Sequence, residues 1–348
     1  MKRTSKPFQL RVRCVPEKDI PISCRVRLAR NFRNHIFPDR ASNEERVAVV
    51  RDVQKILGEH RTFKMFDLDS ESPRECSILA EKRLISKELL DRTSGKAIIS
   101  TPEASMVAMI NEEDHLRIQG FSRGLDFESA FLAANAFDDF VGEHLPYAWT
   151  PRLGFLTACP SNVGTGLRAS AMLHLIGLRL SNELDCVSRG LERLHLLVRG
   201  SMGEGTDALG QLVQISNMET LGTDEATIIA RMTRICHEVI QLERKARIRM
   251  IQNSPMVIAD LLTRAICLLQ NALLISAMEA TELLSALRFG TSIGLVTGIT
   301  LSEIDALMYF VQPAHLETAV GVDMTPEARD IERAHRLHAC MNCVGLKV

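Results

Sequence analysis

Two patterns of apolar spacing follow one another along the chain. Up to about residue 220, short apolar runs bounded by charged or turn residues predict strands, and longer runs with helical spacing lie between them. The irregular connections favour an α+β domain over a repeating βαβ series. The predicted strands are Ala97–Ser100, 105–110, 154–157 and 195–198, and the predicted helices are 127–141 and 166–180.

From Thr223 onward the pattern is helical. Thr223 is predicted to cap a helix that runs to about residue 251, and helical spacing resumes over 257–287. Thr300 and Glu303 form a capping box, and Pro326 suits the first turn of a last helix. The expected organisation is an N-terminal extension (1–20), a catalytic-type domain (21–250) and a helical C-terminal domain (251–348).

Composition narrows the class of protein. The chain has 348 residues, of which 46% are hydrophobic and 24% charged, as in soluble globular proteins. A net charge of −1 argues against a general nucleic-acid or membrane-surface binder, so no nucleic acid and no membrane is expected as a partner. No apolar run reaches membrane-span length, and no signal peptide is visible. Nine scattered cysteines fit free thiols, which predicts a cytoplasmic protein.

An acidic segment follows the apolar run that ends at residue 110. It places Glu112, Glu113 and Asp114 side by side, with Arg117 shortly after them. Three adjacent carboxylates repel one another, so folding alone gives little reason to collect them there. They suit a bound cation, with Arg117 available for an anion. The alternative is an ordinary solvated acidic turn.

Arginines recur in segments that suit phosphate binding. Arg25 and Arg27 alternate, so a strand would point both guanidinium groups to one face. Arg168 lies in the Gly-rich segment 159–170, interpreted as a strand–loop–helix whose helix start offers N–H groups to an anion. Arg199 opens a second Gly-rich loop, flexible enough to close over a ligand. Each feature alone is more often structural, as an exposed strand edge or a turn.

Three weaker motifs have competing interpretations. Residues 164–169 match a dinucleotide-binding fingerprint, but no clear βαβ unit surrounds them. Cys159 is either a reactive thiol near cations or a small buried apolar residue. A C-terminal run of two histidines and two cysteines could bind zinc, although its spacing within a helix is poor for tetrahedral ligation. That run consists of His335, His338, Cys340 and Cys343.

Taken in order, the segments 23–31, 111–118, 159–170 and 198–205 resemble the phosphagen (guanidino) kinase family, and within it the bacterial protein-arginine kinases. The similarity covers about residues 21–345. It implies an α+β fold, a glutamine-synthetase/guanidino-kinase-like antiparallel sheet flanked by helices. A small all-helical C-terminal domain used in dimerisation would follow.

The resemblance also implies an active site with ATP and Mg²⁺. Glu113 and Glu204 would hold the substrate guanidinium, with Glu113 as base and Cys159 beside it. Mg²⁺ would be held mainly through the ATP phosphates, with Glu112 as a candidate contact. The arginines around the phosphates would be Arg25, Arg27, Arg117, Arg168 and Arg199. The rest of the ATP site would be Cys24, Val26, Leu28, Arg83, Ala169, Ser170, Ala171, Met172, Gly200, Ser201, Met202, Gly203 and again Glu204.

The chemistry accounts for these residue types. A guanidinium, with a pKa of about 12.5–13.8, is protonated at neutral pH and is a poor nucleophile. Two carboxylates can align one nitrogen with the γ-phosphorus and accept its proton, while cations stabilise the transferring phosphoryl group. Two positions depart from the family. Arg83 replaces its usual histidine, and Cys24 stands where Ser or Thr is common, so we expect altered nucleotide affinity rather than lost activity.

The expected substrate is arginine within proteins. Family members that act on metabolites carry an N-terminal helical domain that encloses the small substrate, and here Arg25 lies close to Met1. Arg329, Asp330, Arg333 and Ala334 match a motif that implies an allosteric phosphoarginine pocket; the alternative is a salt-bridged helix surface. Implied partners are proteins with accessible arginines, a zinc-binding activator of the McsA type, a Clp-type protease system and a second copy of the chain as homodimer. The alternative functions are a free-guanidine kinase and a phosphoarginine-binding adaptor with a dormant site.

Overall fold

A computed structural model describes residues 10, 12, 15–58, 60, 62–68, 72–86, 88–90, 95–200 and 209–347. Its strands are β1 (Pro21–Arg30), β2 (Lys64–Asp67), β3 (Ala97–Ser100), β4 (Met106–Ile110), β5 (Leu116–Arg123), β6 (Trp149–Thr150), β7 (Gly154–Phe155), β8 (Leu167–His174), β9 (Leu196–Gly200), β10 (Leu212–Asn217), β11 (Val296–Thr297) and β12 (Gly345–Leu346). Its helices are α1 (Asn43–Leu57), α2 (Pro73–Glu81), α3 (Phe127–His144), α4 (Ile176–Leu180), α5 (Leu184–Arg193), α6 (Glu225–Asn253), α7 (Pro255–Asn271), α8 (Ala277–Ser292), α9 (Leu301–Phe310), α10 (Pro313–Val320) and α11 (Pro326–Met341).

One antiparallel sheet organises the first part of the chain. Its strand order is β2-β3-β4-β5-β1-β8-β10-β9, and every pairing is antiparallel. The ten-residue β1 lies in the middle, between β5 and β8. The predicted α+β class and the antiparallel sheet flanked by helices are confirmed.

The sheet packs its core face against helices. Side chains of Cys24, Val26 and Leu28 point to this face and are fully or almost fully buried, and α3 and α6 contact the central strands from the same side. At Gly120 a Cβ would lie 1.9 Å from the carbonyl oxygen of Ala130 in α3. The helix therefore approaches the sheet so closely that only glycine fits.

The prediction of a helix over 166–180 is wrong. Leu167–His174 forms the strand β8, and only Ile176–Leu180 is helical. The strand period is present in the sequence, because Arg168, Ser170 and Met172 alternate with small or apolar residues that face the core. Alanines suit a helix, but pairing with β1 and β10 decides the conformation. The segment after Gly166 consequently has no helix start to offer an anion.

Most other predicted elements are confirmed with shifted ends. The strand predicted over 154–157 has only two residues, Gly154–Phe155. The helix after residue 223 is capped by Asp224 rather than Thr223, and the helical run over 257–287 is two helices separated at residues 272–276. The Thr300 capping box is present.

The C-terminal part is helical but not wholly so. Helices α7 to α11 enclose a second core, and the two-residue strands β11 and β12 pair with one another. This pairing corrects the all-helical prediction. Within the described ranges, no helix is both long and apolar enough to cross a membrane.

A buried polar network surrounds α6 and reaches the C-terminal part, where Arg247 donates to the Ser292 hydroxyl at 3.3 Å. Glu243 and Arg247 of α6 form an ion pair with both side chains fully buried. The Glu243 carboxylate accepts the N–H groups of Gly177 and Leu178 at the start of α4, both at 2.8 Å. Arg247 donates to the carbonyl oxygen of His174 at 2.9 Å. The network thus fixes the end of β8 against α6.

Candidate active site

Strand register brings the five predicted arginines to one face of the sheet, and four of them lie on the central strands β5, β1 and β8. Arg27 lies opposite Arg168 on β8, and Arg25 lies opposite Ser170. Arg117 lies opposite Ala29, two positions along β1 from Arg27. Because directly opposed residues and alternate residues share a face, all these guanidinium groups leave the same side. We call this side the arginine face and define it by Arg25, Arg27, Arg117 and Arg168.

The arginines repel one another in the absence of an anion. Burial and the charges of Arg117, Arg83 and Arg168 lower the pKa of Arg25 to about 10. The same two causes, burial and neighbouring arginines, hold the pKa of Arg27 well below its ordinary value and lower that of Arg168. Within the described part of the chain, the Nε of Arg168 is also buried without a hydrogen-bond partner. A bound polyanion such as a nucleotide phosphate chain would offset the repulsion between the arginines and could accept a hydrogen bond from the Nε of Arg168.

The acidic turn between β4 and β5 starts at Asn111, whose φ is 54°. Asparagine tolerates this left-handed conformation, and its amide donates to the carbonyl oxygens of Arg46 at 2.9 Å and Gly95 at 2.7 Å. Asn111 and its backbone partners thus hold the turn that carries the three acids.

The three acids have different environments. Glu112 forms an ion pair with Arg117 and accepts the hydroxyl of Ser86 at 2.7 Å. Burial would raise the pKa of Glu112, but the hydrogen bond and charge of Arg117, with hydrogen bonds from the Glu113 N–H and Ser86, together bring the pKa below its ordinary value. Glu113 is exposed, and its charge raises the pKa of Arg168, against the larger effects of burial and other arginines. Glu113 is therefore the exposed member of the three acids.

Asp114 has different hydrogen-bond partners from Glu112. It is buried, and it accepts the side-chain amide of Asn31 at 2.6 Å and the N–H of Ala158 at 2.7 Å. Burial raises the pKa of this carboxyl group. Asp114 thus joins the acidic turn to the segment that leads into Cys159, which the expectation of a cation-binding triplet did not foresee.

Cys159 is partly exposed just before the short 3-10 helix Pro160–Asn162. Its sulfur lies 3.0 Å from the hydroxyl oxygen of Ser161, and its carbonyl oxygen accepts the hydroxyl of Thr157 at 2.7 Å. The Asp114–Ala158 hydrogen bond joins the residue before Cys159 to the turn that carries Glu113.

Several predicted ATP contacts lie on the core face. The Cys24 side chain is fully buried, and burial raises its thiol pKa to about 12. Other predicted contacts lie on the arginine face, namely Ser170 and Met172. Arg199 is exposed and lies on this face as well, because it pairs with Gln214, which in turn lies opposite Met172. Gly200 ends β9. The side chains of Cys24, Val26, Leu28, Ala169 and Ala171 point to the core face.

Part of the predicted site lies outside the described residues. These positions are Ser201, Met202, Gly203 and Glu204. Their assigned roles remain predictions.

Arg83 reaches the arginine face from outside the sheet. It follows α2 with a φ of 59°, and its guanidinium lies 3.9 Å from the sulfur of Met172. Burial lowers its pKa. Gln119, absent from the predicted site, shares this face: its amide oxygen accepts from Arg25 at 3.3 Å, and its amide nitrogen donates to the Leu84 carbonyl oxygen at 2.9 Å. Its position two residues after Arg117 in a strand is the signal that could have identified it.

The predicted phosphoarginine motif has an unexpected geometry. Arg333 is buried and donates to the carbonyl oxygens of Val311 and Ile275, both at 2.7 Å, and to Asp330 at 2.5 Å. Arg329 instead pairs with Glu317 at 2.8 Å. The two arginines therefore do not present one exposed helix face, and Arg333 contributes to folding of the C-terminal helices in this conformation. Ala334 is also buried.

The C-terminal histidines and cysteines are not gathered around one point. His338 Nε2 lies 2.8 Å from the Ala272 carbonyl oxygen. Over the residues that the structure describes, no group of three or more His, Cys, Asp or Glu could hold a metal ion.

Comparison with known families agrees with this geometry. Residues 45–246 match the family described as ATP:guanido phosphotransferase, C-terminal catalytic domain. The chain belongs to this family and is therefore a kinase that transfers phosphoryl groups. Residues 255–345 match the protein-arginine kinase McsB C-terminal domain, which confirms the resemblance found in the sequence.

Similar proteins point to one branch of the family. A protein-arginine kinase of Bacillus subtilis (strain 168) is 38% identical over 336 residues, covering 94% of this chain and 92% of that protein. A protein-arginine kinase of Halothermothrix orenii is 36% identical over 329 residues, covering 94% of each chain.

Solved structures support the fold. A lombricine kinase crystal structure aligns with a TM-score of 0.59 and 25% identity, covering 70% of this chain and 72% of that one. A duplicated taurocyamine kinase from Schistosoma mansoni aligns with a TM-score of 0.58 and 22% identity, covering 73% of this chain and 39% of that one.

Proposed function

We propose that this chain transfers the γ-phosphoryl group of ATP to a guanidino nitrogen of arginine side chains in proteins. The observation that carries the proposal is the arginine face with an exposed carboxylate, Glu113, at its edge. Cations for a triphosphate and a base for a guanidinium are the parts that this transfer requires. The relatives that match over nearly the whole chain bear the name of this activity.

Each group has a defined task in this proposal. Arg25, Arg27 and Arg168 bind phosphate oxygens and stabilise the charge of the transferring group. Arg117 does the same while Glu112 keeps it in place through their ion pair. Glu113 orients the acceptor guanidinium and accepts the proton that leaves the attacking nitrogen. Glu204 is proposed as the second carboxylate and Cys159 as a neighbour of the guanidinium.

Magnesium would enter with the nucleotide. Glu112 is occupied by Arg117 and Ser86, and no metal-binding cluster occurs over the described ranges. In this proposal Mg²⁺ is held mainly by the ATP phosphates, as magnesium commonly is. Magnesium bound there would neutralise charge on the phosphates.

The match to the McsB C-terminal domain favours a protein substrate. The alternative, a free-guanidine kinase, has support from the lombricine kinase likeness. We further propose a cytoplasmic homodimer with a catalytic domain over 21–250, working with a zinc-binding activator and a Clp-type protease system. The phosphoarginine pocket at Arg329 and Arg333 stays part of the proposal and requires Arg333 to leave its buried contacts.

One assay tests the proposed reaction. Purified protein receives ATP and Mg²⁺ with either an unfolded protein or free arginine, and acid-labile phosphate is measured. We expect label on protein arginine and a loss of kcat of about 10²–10⁴-fold in Glu113→Gln, the range for removal of a general base. Glu143→Gln, at an exposed position of α3, is the matched control and should retain full activity.

Other outcomes separate the alternatives. Labelled free arginine alone would identify a free-guanidine kinase. No label in the wild-type protein, with binding of phosphoarginine, would favour an adaptor. Full activity of Glu113→Gln would contradict the assignment of the base.

A further inference from the structure

The end of α2 is attached to the C-terminal helices by one carboxylate. Glu81, the last residue of α2, accepts the N–H groups of Ala314 at 2.7 Å and His315 at 3.1 Å. It also accepts from His315 Nδ1 at 2.6 Å. The two N–H groups belong to the first turn of α10, where a negative charge complements the helix dipole. The side chains of Glu81 and His315 are both less than one-fifth exposed, so water screens the contact between them only weakly.

The same helix end determines the backbone at Arg83. The N–H of Arg83 donates to the Ala80 carbonyl oxygen at 2.9 Å, and that of Leu84 donates to the Leu79 carbonyl oxygen at 3.0 Å. With the left-handed φ of Arg83, these bonds form the helix ending in which glycine usually occupies the left-handed position. The direction of the Arg83 side chain therefore depends on where and how α2 ends.

Contacts continue from this turn to the phosphate-binding arginines. The carbonyl oxygen of Leu84 accepts the amide of Gln119, and Gln119 accepts from Arg25. Two residues further on, the Ser86 hydroxyl donates to Glu112, the partner of Arg117. A displacement of α2 would therefore move polar partners of two arginines as well as Arg83.

The C-terminal helices also pack against the helix that leads into Arg83. Helix α10 packs against α2, after which Arg83 follows, and α10 also contacts α9, which carries Tyr309. The rings of Tyr309 and His315 lie 6.4 Å apart. Helices α9 and α10 thus lie on the side of α2 from which Glu81 makes its contacts.

We propose that Glu81 is a positioning residue that ties the nucleotide-binding arginines to α10, so that the C-terminal helices set the affinity for ATP through Arg83. The proposal rests on the proposed function only in taking ATP as the ligand of the arginine face. Glu81 itself touches α10 and no residue of the arginine face. Its effect is therefore expected on nucleotide binding more than on the chemical step.

The test is a steady-state and binding comparison of Glu81→Ala with the wild-type full-length chain. We expect the KM for ATP and the Kd for Mg-ATP to rise about 10-fold, within the usual range of coupling between sites. The kcat should stay within about twofold of wild type, because the transition-state contacts are retained. Glu81→Gln keeps one acceptor oxygen, so its KM and Kd should lie between those of wild type and Glu81→Ala.

The matched control is Arg74→Ala, which breaks the ion pair of Arg74 at the other end of α2 with Asp323. This change leaves the helix end intact and should leave the KM for ATP unchanged. In an Arg83→Ala background, Glu81→Ala should raise the KM no further, since the effect passes through Arg83. A merely structural role of Glu81 would lower stability and give additive effects instead.

Two results would overturn the inference. One is an unchanged Kd for Mg-ATP in Glu81→Ala, and the other is additivity with Arg83→Ala. Failure of the proposed function is distinguishable, because a wild-type protein that makes no phosphoarginine still reports on Glu81 through its Kd for Mg-ATP. A lack of any ATP binding by wild type would overturn both.

Discussion

Acidification should destabilise the protein through His115, which lies in the acidic turn. The ring is fully buried and stacks on Phe32, with ring centroids 5.6 Å apart. Its Nδ1 accepts the N–H of Phe32 at 3.0 Å, so the proton resides on Nε2, 2.9 Å from the Ile36 carbonyl oxygen. Protonation of Nδ1 would destroy the bond to Phe32. Burial lowers the pKa of His115 to about 4 from its usual 6.5.

The sign and size follow from these two pKa values. Below the unfolded pKa of 6.5, the unfolded chain binds a proton at His115 that the folded chain does not, so stability falls as the pH falls. Between about pH 7 and pH 5 the loss is about 2 kcal/mol, and it approaches about 3 kcal/mol near pH 4, at about 1.36 kcal/mol per unit of pKa difference. The buried His174, whose pKa burial lowers well below its ordinary value, acts with the same sign.

Urea unfolding at pH 7 and at pH 5 measures the effect. His115→Gln should be less stable than wild type near neutral pH. Its free energy of unfolding should fall by about 2 kcal/mol less than that of wild type between pH 7 and pH 5. His237→Gln, at an exposed position of α6, is the control and should keep the wild-type pH dependence. An equal pH dependence in wild type and His115→Gln would refute the reasoning.

Two further predictions concern packing. Glu243→Ala leaves Arg247 buried without its carboxylate and should cost about 3–5 kcal/mol of unfolding free energy in urea. Asp260→Ala, which breaks an exposed ion pair, should stay within about 1 kcal/mol of wild type. Equal losses of unfolding free energy in Glu243→Ala and Asp260→Ala would contradict the role given to the buried ion pair. Gly120→Ala forces α3 away from the sheet at the Ala130 carbonyl oxygen and should cost about 1–3 kcal/mol in thermal unfolding. An unchanged melting temperature would contradict that close approach.

Local patterns predicted much of the fold and part of the site. The strand before the acidic turn, the alternation of Arg25 and Arg27, and the Thr300 capping box depend on neighbours in sequence, and all are present. The strand β8 was mistaken for a helix because its conformation depends on pairing with distant strands. A buried central strand and a helix segment can share the same apolar content.

The sequence by itself indicated arginines that suit phosphates, adjacent carboxylates that suit a cation, and a helical C-terminal part. These follow from residue types and short-range spacing. Only the tertiary structure decided which acid does what. Glu112 pairs with Arg117, Asp114 binds Ala158, and Glu113 stays exposed. Three adjacent carboxylates look alike in sequence, and their environments differ because Ser86, Asn31 and Ala158, which are distant in sequence, bind two of them.

The attachment of α10 to Glu81 was likewise invisible in the sequence, because its partners lie more than 200 residues apart. Arg333 shows the converse case. Its spacing from Arg329 predicted a shared helix face, yet carbonyl oxygens of other segments draw Arg333 into the interior. A helix period states which residues lie on one side, whereas the packing of neighbouring segments decides whether that side meets solvent, protein or ligand.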